Sequence, residues 1–186
     1  MTSSSVLLIF LLLCCFQMML VSMPTCKLPG KVVLNTHNLL QELGGPFPVH
    51  CRQYNSRILS PDSALTASAK HHQCRWTSSV VYEFLRGAGL MFAEYYLPEG
   101  EGGLNWDEPK LDHYLNLQDR LVDDHQCVNN TEAAGVLSSY FSSVKSVVEQ
   151  QDSAACGWHA LRSDLLKVLK SALQIHRNCF NWTRAH

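Results

Sequence analysis

From Trp158 onward, apolar residues recur as Trp158, Leu161, Leu165, Val168, Ala172, Ile175 and Cys179, at alternating intervals of three and four. Only an α-helix gathers such positions on one face, because its turn of 3.6 residues brings them into register. The same alternation runs through Cys74, Thr77, Val81, Phe84, Ala88, Met91 and Tyr95. Shorter stripes comprise Val32, Thr36, Leu39 and Leu43, then Leu111, Tyr114, Leu117 and Leu121. A further apolar set, Val136, Leu137, Tyr140, Phe141, Val144, Val147 and Val148, lies in a helix predicted from about Glu132 to Gln150. No stretch keeps the strict alternation of a strand. Five helices and no strand predict an all-α bundle.

Punctuation sets the topology. Gly44-Gly45-Pro46 stops the first helix, and Pro98 with the Glu-Gly-Glu-Gly-Gly run at 99–103 ends the second. Pro109 belongs in the first turn of a third helix starting near Asp107, where a missing N–H costs little. The last helix is predicted from about Ala155 to Asn178. Gly87 and Gly89 each weaken the second helix by about 1 kcal/mol relative to alanine. Residues 46–72, with Pro46, Pro48 and Pro61, form a long connection with no sustained period. Such a crossover lets the first two helices run parallel, as in cytokine bundles, whereas short loops join antiparallel neighbours.

The amino-terminal run from Val6 to Val21 is apolar except for Gln17, and small Ser22 follows it. It is shorter than the ~20 residues that span a bilayer and reads as a secretory signal peptide over residues 1–22. Met1–Ser5 carries no Lys or Arg, so an uncleaved anchor is the rival reading. The expectation is a secreted protein with one domain over 23–186 and no membrane insertion after cleavage. Cys14 and Cys15 leave with the leader, and Cys26, Cys51, Cys74, Cys127, Cys156 and Cys179 remain. An even number in an oxidising compartment argues for disulfides, and no C-x-x-C suggests zinc or redox chemistry. If the helices run up, up, down, up and down, Cys26–Cys127, Cys51–Cys156 and Cys74–Cys179 each lie at a common end. The third pair is the least secure, since both residues sit on inward stripes and could be reduced core cysteines.

Composition excludes several classes. Hydrophobic residues make up 46% of the chain, which rules out extensive disorder. A formal charge of −1 is wrong for a nucleic-acid binder, which needs a basic excess. No H-E-x-x-H, G-x-S-x-G or phosphate-binding loop occurs, so no enzyme, cofactor or metal site is expected. His71 and His72 near Cys74 read as solvent-facing, and Asp119 with Asp123 as a solvated helix face. A secreted enzyme or a lipid-carrying bundle without signalling activity is the alternative. Asn129-Asn130-Thr131 and Asn181-Trp182-Thr183 are glycosylation sequons at Asn129 and Asn181. Charge is uneven: Glu83–Asp124 is strongly acidic, whereas 23–82 and 162–186 are basic. Arg52, Arg57, Arg162, Lys167, Lys170 and Arg177 lie in the crossover and last helix, where a basic patch would steer an acidic partner.

Tyr140-Phe141-x-Ser143-Val144 followed by Cys156-Gly157-Trp158 resembles a helix-to-helix motif of type I interferons. Gly157 stands where that motif has Ala or Thr, and Val147-Val148 where it has an aromatic or Leu and then Leu. Leu39-Leu40-x-x-Leu43-Gly44-Gly45-x-Phe47-Pro48-x-x-Cys51 and Trp106-Asp107-x-x-x-Leu111-Asp112 leading to Cys127-Val128 resemble the fish branch, in its four-cysteine group. The Cys-Gly-Trp placement argues against type III interferons and interleukin-10 relatives. The resemblance implies a five-helix cytokine bundle with disulfides Cys26–Cys127 and Cys51–Cys156. Cys74 and Cys179 go beyond the four-cysteine pattern. It further implies a monomeric antiviral cytokine that engages two class II cytokine receptor chains and drives JAK–STAT signalling. The crossover and last helix would meet one receptor chain, and the opposite face the other.

Overall fold

The computed structural model describes residues 26–61, 64–65, 73–100 and 102–183. The leader over 1–22, the start of the domain, and His71 and His72 lie outside the described residues. Five long helices carry the fold: α1 (Gly30–Glu42), α2 (Gln73–Glu94), α3 (Glu108–Asp124), α4 (Thr131–Val148) and α5 (Ala154–Ile175). The described part of the crossover contains regular turns that its lack of period does not suggest. After Pro48 it forms a 3-10 turn, Val49–Cys51, and a one-turn helix, Arg52–Asn55, which packs on α5. Another 3-10 turn, Gln126–Val128, precedes α4, and Arg177–Cys179 follows α5.

Local chemistry starts the helices where the sequence places them. Asp107 caps α3, its carboxylate accepting the Lys110 N–H at 3.0 Å, with Pro109 in the first turn. Asn130 caps α4, accepting from the N–H groups of Glu132 and Ala133 at 2.9 and 3.1 Å.

The helices run up, up, down, up, down. The Leu43 carbonyl accepts the Asp107 N–H at 2.9 Å, so the top of α1 meets the start of α3. Trp158 near the start of α5 donates to the Tyr96 carbonyl just beyond α2. At the bottom, Pro29 and Asn181 form a single parallel bridge beside the ends of α1 and α5.

Burial departs from the expected stripes at several positions. In α1 the fully buried positions are Val33, Thr36 and Leu40 rather than Val32 and Leu39, which are half-buried. The helix lies between α3 and α5, so the centre of its buried arc falls between both neighbours. In α2 every residue from Trp76 to Leu85 is buried, because α3, α4 and α5 surround it. The weakening by Gly87 and Gly89 has a packing reason: a Cβ at Gly87 would overlap the Phe141 ring, and one at Gly89 the Gln118 amide. At the turned ends of two stripes, Ile175 and Val136 are exposed.

Candidate functional site

The face built from α1, the crossover and α5 begins with an interior contact. Arg162 is 8% exposed. Its Nε donates to the Leu40 carbonyl at 2.7 Å and its Nη1 to Gly45 at 2.8 Å. Nη2 donates to Gln41 at 3.0 Å and to Gly44 at 2.6 Å. These are carbonyls at and beyond the end of α1, the groups that a helix terminus leaves without intrahelical partners. Many helices satisfy them with a left-handed glycine; here neither Gly44 nor Gly45 has a positive φ, and the guanidinium does the work. Gly44 is needed for space, since a Cβ would stand 2.7 Å from the Trp106 ring. Burial lowers the Arg162 pKa from its usual range.

This corrects the expected basic patch. Arg162 is not an exposed cation, because the end of α1 covers it. Arg177 is exposed but stacks on Trp182 at 4.3 Å, beyond the bottom of α5. Arg52 adjoins Cys51, which is bonded to Cys156 at the top of α5. Twenty-one residues of helical rise put the two ends about 30 Å apart. The four remaining members stay on this face. Arg52 and Arg57 are exposed on the crossover, with the Arg57 guanidinium 5.6 Å over the Tyr54 ring. Lys167 and Lys170 are exposed on α5, and Lys167 is paired with buried Asp164 at 3.0 Å.

A groove of about 420 Å³ separates α1 from α5. His37 and Gln41 form one wall, and Ser163, Leu166, Lys167, Lys170 and Gln174 the other. No carboxylate lines it, although Asp164 beside it pairs with Lys167 and leaves Lys170 as the lining lysine with no acidic partner among the described residues. Sequence reasoning missed His37 and Gln41, whose signal was their place on the solvent side of the α1 stripe. On the opposite side, α2 and α4 enclose a groove of about 250 Å³. Leu90, Phe141, Arg86, Glu94 and Lys145 line it, giving apolar contact with mixed charge. Lys145 bridges Glu94 at 3.4 Å and Glu149 at 3.8 Å.

Three disulfides frame these faces. Cys26 is bonded to Cys127, Cys51 to Cys156 and Cys74 to Cys179, with Cα–Cα separations of 6.1, 5.0 and 4.7 Å. The first and third close the bottom of the bundle, the second the top. His50 lies close to Cys51 and Cys156, but both sulfurs are committed to the disulfide and cannot serve as metal ligands. Asn129 and Asn181 are exposed. His159 sits edge-on to Trp106 at 6.0 Å, and burial, then Arg162, then His50 lower its pKa.

The two departures from the interferon motif meet in space. A Cβ at Gly157 would stand 2.6 Å from Cγ2 of Val148 and 3.0 Å from its backbone nitrogen. The branched side chain of Val148 and the missing side chain of Gly157 therefore belong to one close approach of α4 and α5.

No family model matches the chain. It is 23% identical to an interferon beta of Tachyglossus aculeatus aculeatus, over 75% of each chain. The solved structure of zebrafish interferon 2 superposes with a TM-score of 0.64 and 27% identity, covering 80% of this chain and 99% of that one. The likeness to type I interferons, in their fish branch, is thus present in sequence and in fold. The molecule is a disulfide-stabilised helical bundle whose fold is similar to that of zebrafish interferon 2.

Proposed function

We propose that this chain is a secreted antiviral cytokine that binds two class II cytokine receptor chains, triggers JAK–STAT signalling and induces interferon-stimulated genes. The observation that carries the reading is the superposition on zebrafish interferon 2 across nearly the whole of that chain. The α1–crossover–α5 face, with Arg52, Arg57, Lys167 and Lys170, receives an acidic surface of one receptor chain. Its groove without carboxylates supports that assignment. The α2–α4 face, with exposed Leu90 at its rim, receives the other. Residues 1–22 are the signal peptide, 23–186 the mature domain, and Asn129 and Asn181 carry glycans. The mature protein acts as a monomer, and no helix among the described residues is long and apolar enough to cross a membrane.

The test is STAT tyrosine phosphorylation in fish cells given purified, oxidised residues 24–186, beside a reduced and alkylated control. A rise within the hour with the oxidised protein alone is the expected result. Absence of a rise across several fish cell lines, with helical circular dichroism intact, sinks the agonist reading.

A further inference from the structure

We infer that Arg162 is a positioning residue for receptor recognition: by holding the carbonyls of Leu40, Gln41, Gly44 and Gly45, it fixes where the crossover cations Arg52 and Arg57 stand relative to Lys167 and Lys170. The inference rests on the receptor reading above and adds to it a buried residue that touches no receptor.

The argument is one of anchoring. The chain leaves α1 at Glu42, and the next covalent fixture is Cys51, bonded to Cys156. Arg162 lies on the same helix as Cys156, six residues further on, which is about 9 Å of helical rise. The segment from Gly45 to Cys51 is therefore held to α5 at both ends, by a guanidinium at one and a disulfide at the other. Arg52 follows at once, and its one-turn helix packs on α5. Lys167 and Lys170 are on that same helix, so the two anchors and the packing of the one-turn helix give both sets of cations one reference, while beyond Arg57 the Leu59 N–H donates to Ser143 Oγ of α4 at 3.0 Å. Apart from Arg162, the Asp107 N–H on the Leu43 carbonyl and the exposed Lys110–Glu42 pair at 3.4 Å hold the exit segment, and both tie it to α3 and not to α5. A planar fork of five N–H donors can meet four carbonyls arranged around it. An ammonium offers three donors from a single point and cannot hold all four in that arrangement.

The experiment measures two things on oxidised residues 24–186. One is the half-maximal dose for STAT phosphorylation in responsive fish cells; the other is hydrogen exchange across residues 40–57. The variants are Arg162→Lys, which keeps the charge, Arg162→Met, the double charge reversal Arg52→Glu with Arg57→Glu, and that reversal combined with Arg162→Lys. Arg162→Lys is expected to raise the half-maximal dose roughly tenfold and to speed exchange over 40–57 while α2 and α4 stay protected. In the charge-reversed chain the same substitution costs less than about threefold, because cations already removed cannot be misplaced. Equal effects of Arg162→Lys in both backgrounds overturn the inference, as does unchanged exchange over 40–57. A silent charge reversal overturns it too, together with the crossover half of the receptor reading. Loss on charge reversal with an additive Arg162 effect overturns the positioning role alone. Arg162→Met is read by circular dichroism as the limit of losing the anchor.

Discussion

The two ends of the bundle are held by different means. At the bottom, two disulfides and the Pro29–Asn181 bridge join the termini of α1, α2, α3 and α5. Three side chains of α2 add to them. Ser79 donates to the Val128 carbonyl at 2.9 Å, Tyr82 to Val122 at 3.2 Å, and Glu83 accepts the Asn130 N–H at 3.0 Å. The loop between α3 and α4 is thereby fixed at several independent points. At the top, one disulfide and one guanidinium tie the exit of α1 to α5, and the Asp107 N–H on Leu43 with the exposed Lys110–Glu42 pair ties it to α3; single hydrogen bonds from Trp158 and Ser153 lie beside them. Redundancy makes the bottom tolerant of single losses, whereas concentration makes the top sensitive. The sensitive end is also where the crossover cations are aimed.

Removing one disulfide from each end tests this most forcefully. Cys51→Ala with Cys156→Ala is expected to cost about 4 kcal/mol, because no other covalent link closes the top. Cys74→Ala with Cys179→Ala is expected to cost about 2 kcal/mol, since Cys26–Cys127 and the Pro29–Asn181 bridge still hold the bottom of the bundle together. Guanidinium unfolding of the oxidised variants measures both, and equal losses would break the contrast.

The polar anchors come next. Arg162→Met removes a cation from four carbonyls and is expected to cost about 3 kcal/mol. Glu83→Gln keeps an oxygen for Asn130 and weakens only the pair with half-exposed Arg86, so about 1 kcal/mol is expected. The same unfolding curves decide the order.

A smaller effect distinguishes the ends by pH. Burial, then the charges of Arg162 and His50, hold His159 below the ordinary histidine value of 6.5. The unfolded chain therefore takes up the proton first as pH falls. Stability from neutral His159 is complete above 6.5 and is lost as pH drops through that value toward the folded pKa. His159→Gln should flatten the fall in melting temperature between pH 7 and 5, and an unchanged slope would place the acid sensitivity elsewhere. Smallest in stability is Lys170→Glu, expected within about 0.5 kcal/mol of wild type because the residue is exposed. Its consequence should appear in signalling potency instead, and full potency would remove Lys170 from the receptor face.

Periodicity made the helices legible, as did the stop at Gly44-Gly45-Pro46 and Pro109 in the first turn of α3, because these are local properties of the chain. The rotation of the α1 stripe was not legible, since it depends on two neighbours that α1 meets only in the folded bundle. Continuous burial from Trp76 to Leu85 was hidden for the same reason: an amphipathic reading assumes one wet face, and α2 has none there. The candidate face was legible in its exposed cations but not in its anchor. Charge and its place on the last helix put Arg162 with Arg52 in the sequence. Yet it lies four residues after Trp158 and three before Leu165, on the buried arc, and that spacing was the available signal. Arg177 was misplaced by proximity in sequence to α5, since a helix of that length carries its ends far apart.

The disulfides have a consequence for how the protein is made. Their partners are 101, 105 and 105 residues apart, and the three spans overlap in the same order along the chain. A ribosome therefore emits Cys26, Cys51 and Cys74 before any of their mates. At about 5–20 residues per second, Cys26 waits roughly 5–20 s for Cys127 to be synthesised. During that interval the only protein thiols of this chain within reach are each other, and every bond they form must later be undone by thiolate exchange. For a chain secreted as proposed, yield is then limited by isomerase capacity, and a lumen that oxidises nascent thiols too quickly traps the chain in early, wrong pairs.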